Sequence, residues 1–382
     1  LAYERTASLE ALRLRAAVLA RLRGFFAARG VLEVETPALS PAAVTDPALA
    51  SIAAEVRSLG GRQYLHTSPE FAMKRLLASG SGDIYQLCRV FRDDELGRWH
   101  QPEFTMLEWY RLGFDDTRLM DEVASLVREA LGAASLDWPV ERVRYADAFA
   151  RAVGIDPLPP YPEGRAEPPS SSGLGGTEAS DHARLSERRL SERRHSERRL
   201  PERRLAKRRL AERRLPERRL AKRLSERLAT RLAALGVDVP PGLDADGLLD
   251  LAFSAVVVPS LRPDALTFVH DYPPSQAALA LLKPGPPSVA ARFELFARGL
   301  ELANGFAELT DAAEQRRRFG TDQLARRRRG LPEPPIDEAF LAALESGLPQ
   351  CAGVALGVDR LVALAGGAQS LADVSAFSHR RE

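Results

Sequence analysis

The 382-residue chain is 45% hydrophobic and 28% charged, with a formal net charge of +2; that is room for one large domain or two ordinary ones around a sizeable core. Two cysteines, Cys88 and Cys351, cannot build a disulfide framework or a paired-cysteine metal site. No apolar run approaches the ~20 residues a membrane helix needs, and no basic-then-apolar leader opens the chain, so a cytoplasmic protein with no membrane partner is expected.

Ser8–Arg29 carries Leu9, Leu12, Val18, Leu19, Leu22, Phe25 and Phe26 at helical spacing, with Gly30 to stop it. Val31–Val34 is a short strand candidate closed by Pro37. Asp83–Arg92 and Glu103–Tyr110 are apolar, β-rich runs flanking a polar loop, the pattern of two antiparallel strands. Thr117–Leu131 returns to helical periodicity. Arg292–Leu302 and Gly353–Val358 read as further strands, with a polar, Arg-rich helix over Asp311–Gly330 between them and a buried helix start at Asp359–Ala365. Strands with antiparallel neighbours, interrupted by helices, give an α+β expectation: one domain over residues 1–382.

Pro157–Leu228 interrupts it. Pro157–Ser180 is rich in Pro, Gly and Ser and reads as a linker. A pentamer repeat of the type RLSER, RLPER, RLAKR then runs from Arg184 to Arg223, and Arg184–Leu228 carries a local charge of +12 against −10 for the remainder. A period of five advances about 140° per repeat on a helix, so the leucines spiral instead of forming a stripe, and Pro201 and Pro216 remove helix hydrogen bonds. The plain reading is a solvated, partly helical expansion that tolerates deletion. The competing readings are a nucleic-acid tether, since phosphate neutralisation needs only Lys and Arg, and a partner-binding helix.

Chemistry concentrates in two segments. FRDDELGRWHQPEFTMLE (Phe91–Glu108) has an Arg leaving a strand, an acidic loop, then His100, Phe104 and Glu108 at four-residue intervals. Activating a carboxylate with ATP needs a cation at the α-phosphate, which Arg92 could supply as a fork of donors, and a flat apolar platform for adenine, which Phe104 could supply. GVALGVDRL (Gly353–Leu361) alternates small residues, letting a backbone pass close to a ligand, and puts Arg360 at a strand-to-helix junction. A weaker third segment, RGVLEVETPAL (Arg29–Leu39), is a helix end, turn, strand and Pro.

The three segments resemble motifs 2, 3 and 1 of class II aminoacyl-tRNA synthetases, in the required chain order. TSPEFAMKRLL (Thr67–Leu77), PEFTMLEWY (Pro102–Tyr110) and GLELANGFAELTD (Gly299–Asp311) resemble the lysine branch. HDYPPSQAALA (His270–Ala280), with QLCRVFRDDE and GVALGVDRLV, is more similar to the elongation factor P–(R)-β-lysine ligase family, paralogues of lysyl-tRNA synthetase without its anticodon-binding domain. The resemblance implies a class II catalytic domain, an antiparallel sheet flanked by helices, in a homodimer. It implies ATP-dependent activation of (R)-β-lysine or lysine and transfer to a lysine side chain of elongation factor P, with tRNA not expected as a partner.

Residue by residue, the resemblance implies catalytic roles for Arg92, Glu301 and Arg360. ATP would be held by Arg92, Asp94, His100, Gln101, Phe104, Glu301, Leu302, Gly357 and Arg360. Asp94 stands where the family has Glu, and Gln101 where it has Asn, which puts those two contacts in question. The amino-acid pocket would be Ser68, Glu70, Glu108, Tyr110, Asn304 and Glu308, with Mg2+ on Glu301 and Glu308. Other expectations stay open: a lysyl-tRNA synthetase core, an inactive paralogue, or a nucleic-acid-binding protein driven by the repeat.

Overall fold

The computed structural model describes residues 4–132, 138–158 and 220–379. These fall into two compact units. One joins Leu1–Asp156 to Phe253–Glu382; the other is Pro157–Ala252, helical over 220–234 and Ala245–Ala252. The second unit thus runs past the expected insertion end at Leu228. The pentamer repeat lies outside the described residues except for 220–223, which are helical.

Among the described residues, twelve strands form two sheets, both in the first unit. They are β1 (Leu32–Glu33), β2 (Leu39–Ser40), β3 (Ala53–Val56), β4 (Gly61–Leu65), β5 (Ile84–Phe91), β6 (Glu103–Leu112), β7 (Val140–Arg144), β8 (Leu266–Tyr272), β9 (Leu282–Lys283), β10 (Val289–Ala297), β11 (Leu300–Ala307) and β12 (Cys351–Gly357). The large sheet runs β1-β5-β6-β12-β11-β10-β8-β7, with β9 on β10; the small one is β2-β4-β3. Pairing is antiparallel except for β1 with β5 and β7 with β8.

The helices of the first unit among the described residues are α1 (Leu9–Ala27), α2 (Glu70–Ala78), α3 (Asp116–Leu131), α4 (Tyr145–Val153), α5 (Ala312–Arg328), α6 (Glu338–Gly347) and α7 (Val358–Gly366), besides short turns. Ser8 caps α1, its hydroxyl accepting from Ala11 N, and Gly30 follows at φ 67°; a Cβ would resist that left-handed conformation. Val18, Leu22, Phe25 and Phe26 give α1 a buried stripe. They share one core with α3, α7 and the sheet residues Trp109, Leu107, Phe293, Leu295, Leu302 and Val354. On the opposite face a second core joins Met73 and Leu77 of α2 to Phe319 of α5, Phe340, Leu341 and Leu344 of α6, and Tyr110 and Ile84.

One expected strand is two. Arg292–Leu302 spans the end of β10, a turn and the start of β11, because Arg298 (φ 49°) and Gly299 (φ 74°) are both left-handed, the geometry of a two-residue hairpin loop. The strand expected at Val31–Val34 is only Leu32–Glu33.

Candidate active site

Strand register assembles the site. Glu108 pairs with Ala355, Ala355 with Asn304, and Asn304 with Glu294, one continuous row across four strands. The next row runs Tyr110, Gly353, Phe306, Arg292. Side chains in such rows share a face, so the polar groups of β6, β11 and β10 converge around the small residues Ala355 and Gly353 of β12, while the alternate residues, such as Leu107, Trp109, Val354 and Phe293, fill the core behind. A bulge extends the convergence: Leu295 pairs with Ala303 but Phe296 with Glu301, so Leu302 is an extra residue. The bulge brings Glu301 to the face of Asn304, which simple alternation would forbid, and sends the Leu302 side chain into the core.

The amino-acid end of the site holds three carboxylates and one ammonium. Glu70 opens α2, where its N–H donates to Ser68 Oγ at 3.2 Å. Lys74, one turn on and 1% exposed, donates to Glu70 Oε1 at 2.6 Å and lies 2.5 Å from Glu308 Oε2. Tyr110 donates its hydroxyl to Glu108 Oε1 at 2.6 Å. Glu108 Oε2 and Glu308 Oε1 are buried and have no hydrogen-bond partner. Burial, then the Glu70 charge, pushes Glu108 up to about 8. Burial likewise pushes Glu308 up to about 8, against the pull of Lys74. Burial alone would lower Lys74, but Glu308 and Glu70 more than offset it and its pKa is raised. Burial and the Glu108 charge hold the Tyr110 hydroxyl protonated. Gly353 floors this region: a Cβ there would stand 2.3 Å from Tyr110 Cε1 and 2.5 Å from Glu308 Oε1.

Beside it lies a second polar cluster. Arg292 donates to Glu294 Oε1 at 2.6 Å and to Asn304 Oδ1 at 3.2 Å, and its guanidinium lies 4.7 Å from the Tyr272 ring centroid. Burial raises Glu294 to about 7.

The nucleotide end is basic. Arg92 leaves β5 with its guanidinium 5.1 Å from the Phe104 ring centroid, and is lightly held by Thr67 O and Glu95 Oε1, both at 3.4 Å. Arg360, in the first turn of α7, donates to Glu301 O at 2.9 Å and Trp99 O at 3.2 Å, and its Nη2 lies 2.8 Å from His100 Nε2. Burial and the Arg360 charge lower the pKa of His100, so its Nε2 accepts from Arg360. Glu301 is 42% exposed, its carboxylate 3.6 Å from Arg360. Gly357 lies between Arg360 and Leu302 O, each 3.9 Å from where a Cβ would sit.

The structure therefore brings Arg92, Phe104, His100, Glu301 and Arg360 into one region, and Ser68, Glu70, Glu108, Tyr110 and Glu308 into the other, with Asn304 on the shared face. Two expected ATP contacts are placed otherwise. Gln101 is buried and its amide is occupied by His379, donating to its carbonyl at 3.3 Å and accepting from its N–H at 3.1 Å. Asp94 is exposed at φ 60° in the loop after β5. The expected Mg2+ pair separates too. Glu308 faces Lys74 whereas Glu301 faces Arg360, and no group of three metal-ligating side chains occurs among the described residues.

Three residues of the site had no expected role: Lys74, Arg292 and Glu294. Lys74 had a signal, lying four residues after Glu70 on one helix face. Arg292 and Glu294 become legible only with the β10–β11 hairpin.

A buried network ties the parts together. Asp359, next to Arg360, accepts from Arg15 of α1 at 2.5 Å and from Thr105 N at 2.6 Å; Arg15 also donates to Thr105 Oγ1 at 2.7 Å.

Comparison with known proteins gives the family. A family model described as tRNA synthetases class II (D, K and N) matches residues 1–381. Proteins named elongation factor P–(R)-β-lysine ligase from Salmonella paratyphi B, Salmonella schwarzengrund and Salmonella typhi are each 42% identical over 380 residues, covering 98% of this chain and 97% of theirs. No helix among the described residues is long and apolar enough to cross a membrane.

Proposed function

The chain belongs to the class II tRNA synthetase family, and from that footing we propose that it is an ATP-dependent ligase that activates (R)-β-lysine and passes the acyl group to a lysine side chain of elongation factor P. One observation carries the reading: two buried carboxylate oxygens, Glu108 Oε2 and Glu308 Oε1, stand without partners beside Glu70. A carboxylate can only accept, and leaving such an oxygen buried and unmet costs about 1–3 kcal/mol. Ammonium groups of a diamino acid are the donors that would meet them. The names of the 42% identical relatives supply the acceptor and the β-isomer.

In the first step the substrate carboxylate, already ionised, attacks the α-phosphorus of ATP, and the bond to pyrophosphate breaks with its electron pair leaving on pyrophosphate. Arg92 meets the charge that builds on the α-phosphate, and needs to give up only two 3.4 Å contacts to do so. Phe104 offers a face to adenine, and Arg360, braced by Glu301 O, Trp99 O and His100, holds the far side. In the second step the acceptor amine attacks the acyl carbon and AMP departs. Catalysis is then largely positioning and charge stabilisation.

Mg2+ keeps several waters and needs one or two carboxylates beside phosphate oxygens, so the half-exposed Glu301 fits it. Glu308, sealed against Lys74, belongs to the amino-acid pocket instead. When bound, the metal would neutralise phosphate charge. A homodimer is implied by the family through α1 and β1, where Leu9 and Leu32 are each more than half exposed.

The test is ATP–pyrophosphate exchange with (R)-β-lysine, α-lysine or no amino acid, followed by label transfer to elongation factor P or to tRNA. Exchange that prefers (R)-β-lysine and label on elongation factor P are expected. Charging of tRNA with α-lysine would replace this reading with a synthetase.

A further inference from the structure

The molecule offers several unassigned features: the Asp116–Lys283–Asp271 network, the Gln101–His379 clasp, the Arg-rich face of α5, and Lys74. Most arginines of α5 are already spoken for, Arg316 by Glu338 and both Arg317 and Arg318 by Glu314. Lys74 differs from all of these, because it is a fully buried cation placed among three carboxylates that the substrate is to meet.

We infer that Lys74 is a positioning residue for amino-acid recognition: its ammonium holds Glu70 and Glu308 on one anchor and cancels one of three pocket charges, leaving a net two for a substrate that brings two ammonium groups. The inference rests on the diamino-acid reading of the pocket and goes beyond it by naming what sets the charge there.

The geometry allows little else. Nζ sits 2.6 Å from Glu70 and 2.5 Å from Glu308, and the rings of Phe306 and Phe340, 5.3 and 5.7 Å away, close its other sides. Lys74 meets one oxygen of each carboxylate, Glu70 Oε1 through a hydrogen bond and Glu308 Oε2 through an ion-pair contact, and the Oε1 of Glu308 is left without a partner. Lys74 therefore fixes both carboxyl planes without using the oxygen that the substrate needs. It also bridges α2 to the residue that follows β11, so the two ends of the pocket keep a constant separation.

The charge count follows. Glu70, Glu108 and Glu308 ionised would carry three negative charges; Lys74 leaves two. The two ammonium groups of a diamino acid close the balance among these acids, its carboxylate being turned toward the α-phosphate and Arg92, whereas a single ammonium leaves a buried charge uncompensated, which is costly. Even beside Lys74, burial holds Glu108 and Glu308 near 8; without it, like charges at close quarters would raise the three acids further. Substrate ammonium would then first have to displace a proton.

The experiment has a substrate-free arm and a kinetic arm. In the first, side-chain carboxyl carbons of glutamate and the lysine Nζ are followed by NMR from pH 5 to 10 in wild-type protein, Lys74→Arg and Lys74→Met. In wild type, Lys74 should stay protonated across the range. In Lys74→Met the pocket carboxylates should titrate at least one unit higher, and Lys74→Arg should restore them. In the second arm, exchange is measured from pH 6.5 to 9. Lys74→Met should raise KM for the diamino acid about tenfold at pH 7, the equivalent of one pKa unit. The gap should narrow toward pH 9, with KM for ATP unchanged, and Lys74→Arg should recover the wild-type profile. A wild-type Lys74 that loses its proton below pH 9, or carboxylates that titrate alike in Lys74→Met and wild type, would overturn the inference. Absence of exchange by the wild type with any diamino acid would count against the functional reading instead, because the NMR arm needs no substrate.

Discussion

The hydroxyl of Tyr110 donates to Glu108 Oε1 at 2.6 Å while the other oxygen of the same carboxylate is buried without a partner. The two residues are on one strand and one face, two positions apart, so the bond orients the carboxylate as well as satisfying it. Tyr110→Phe removes that donor and keeps the ring that packs over Gly353. Hydrogen bonds to charged groups are worth about 1.5–3 kcal/mol, so KM for the amino acid should rise roughly 10- to 100-fold. KM for ATP should stay put, because Arg92 and Arg360 are untouched. Steady-state exchange in both substrates checks this; an equal rise in both KM values would mean that Tyr110 is only a core residue.

The pocket acids give stability and binding opposite pH dependences. Glu108 and Glu308 titrate near 8 in the folded protein against an ordinary 4.5, because of burial. Between those values the native state holds protons that the unfolded state has released, so stability of the substrate-free protein should fall as pH rises from about 4.5 through 8. Ammonium binding prefers the ionised acids, so amino-acid affinity should rise over the upper part of that window. Glu108→Gln should flatten the stability slope by up to about 1.4 kcal/mol per pH unit and weaken binding at pH 8. Thermal melts from pH 5 to 9, with and without amino acid, read both.

Much of this site is legible in the sequence, and the exceptions depend on burial, hairpin geometry and long-range contacts. Arg92, Phe104 and Arg360 sit in segments whose spacing pointed to nucleotide chemistry, and the structure groups them with Glu301, which rested on resemblance. Glu70, Glu108, Tyr110 and Glu308 rested on resemblance, and they too converge. Lys74 escaped because its importance lies in burial between Glu70, one turn away, and Glu308, far off in sequence, and a lysine one turn into a helix reads as solvated. Arg292 and Glu294 escaped because β10 and β11 were read as one strand; the Arg298–Gly299 loop has the left-handed geometry of a hairpin, but only Gly advertises it in sequence. Gln101 was expected on ATP, yet its partner is the backbone of His379, 278 residues away, a tertiary contact that no local pattern encodes. Strands β7 and β8 and helix α4, on either side of the insertion, likewise went unread as elements.

Two glycines on opposite faces of the sheet allow the packing and recognition roles to be told apart. At Gly353 a Cβ would meet Tyr110 and Glu308 inside the pocket. At Gly305 it would meet Phe293 Cζ at 2.6 Å, Val354 Cβ at 2.7 Å and Gly353 O at 2.9 Å, on the core side. Both Gly→Ala changes should cost about 1–3 kcal/mol by overpacking. Gly353→Ala should in addition raise KM for the amino acid well beyond any change at Gly305→Ala. Denaturant unfolding and exchange kinetics on the two variants, compared at equal fraction folded, check it.

Asp359 makes the last case, because it touches neither substrate yet neighbours both nucleotide contacts. It sits beside Arg360 in α7 and accepts from the N–H of Thr105, the residue after Phe104; Arg15 closes the triangle from α1. The network is buried, so removing one partner leaves a charge uncompensated, and Asp359→Asn should cost about 3 kcal/mol of stability. If the triangle also sets the distance between Arg360 and Phe104, its loss should show in KM for ATP more than in KM for the amino acid. Arg15→Lys keeps a cation but loses the fork that reaches Asp359 and Thr105 together. It should therefore raise KM for ATP several-fold at a smaller stability loss than Asp359→Asn. Loss of stability with both KM values unchanged would reduce the triangle to a strut between α1 and the sheet.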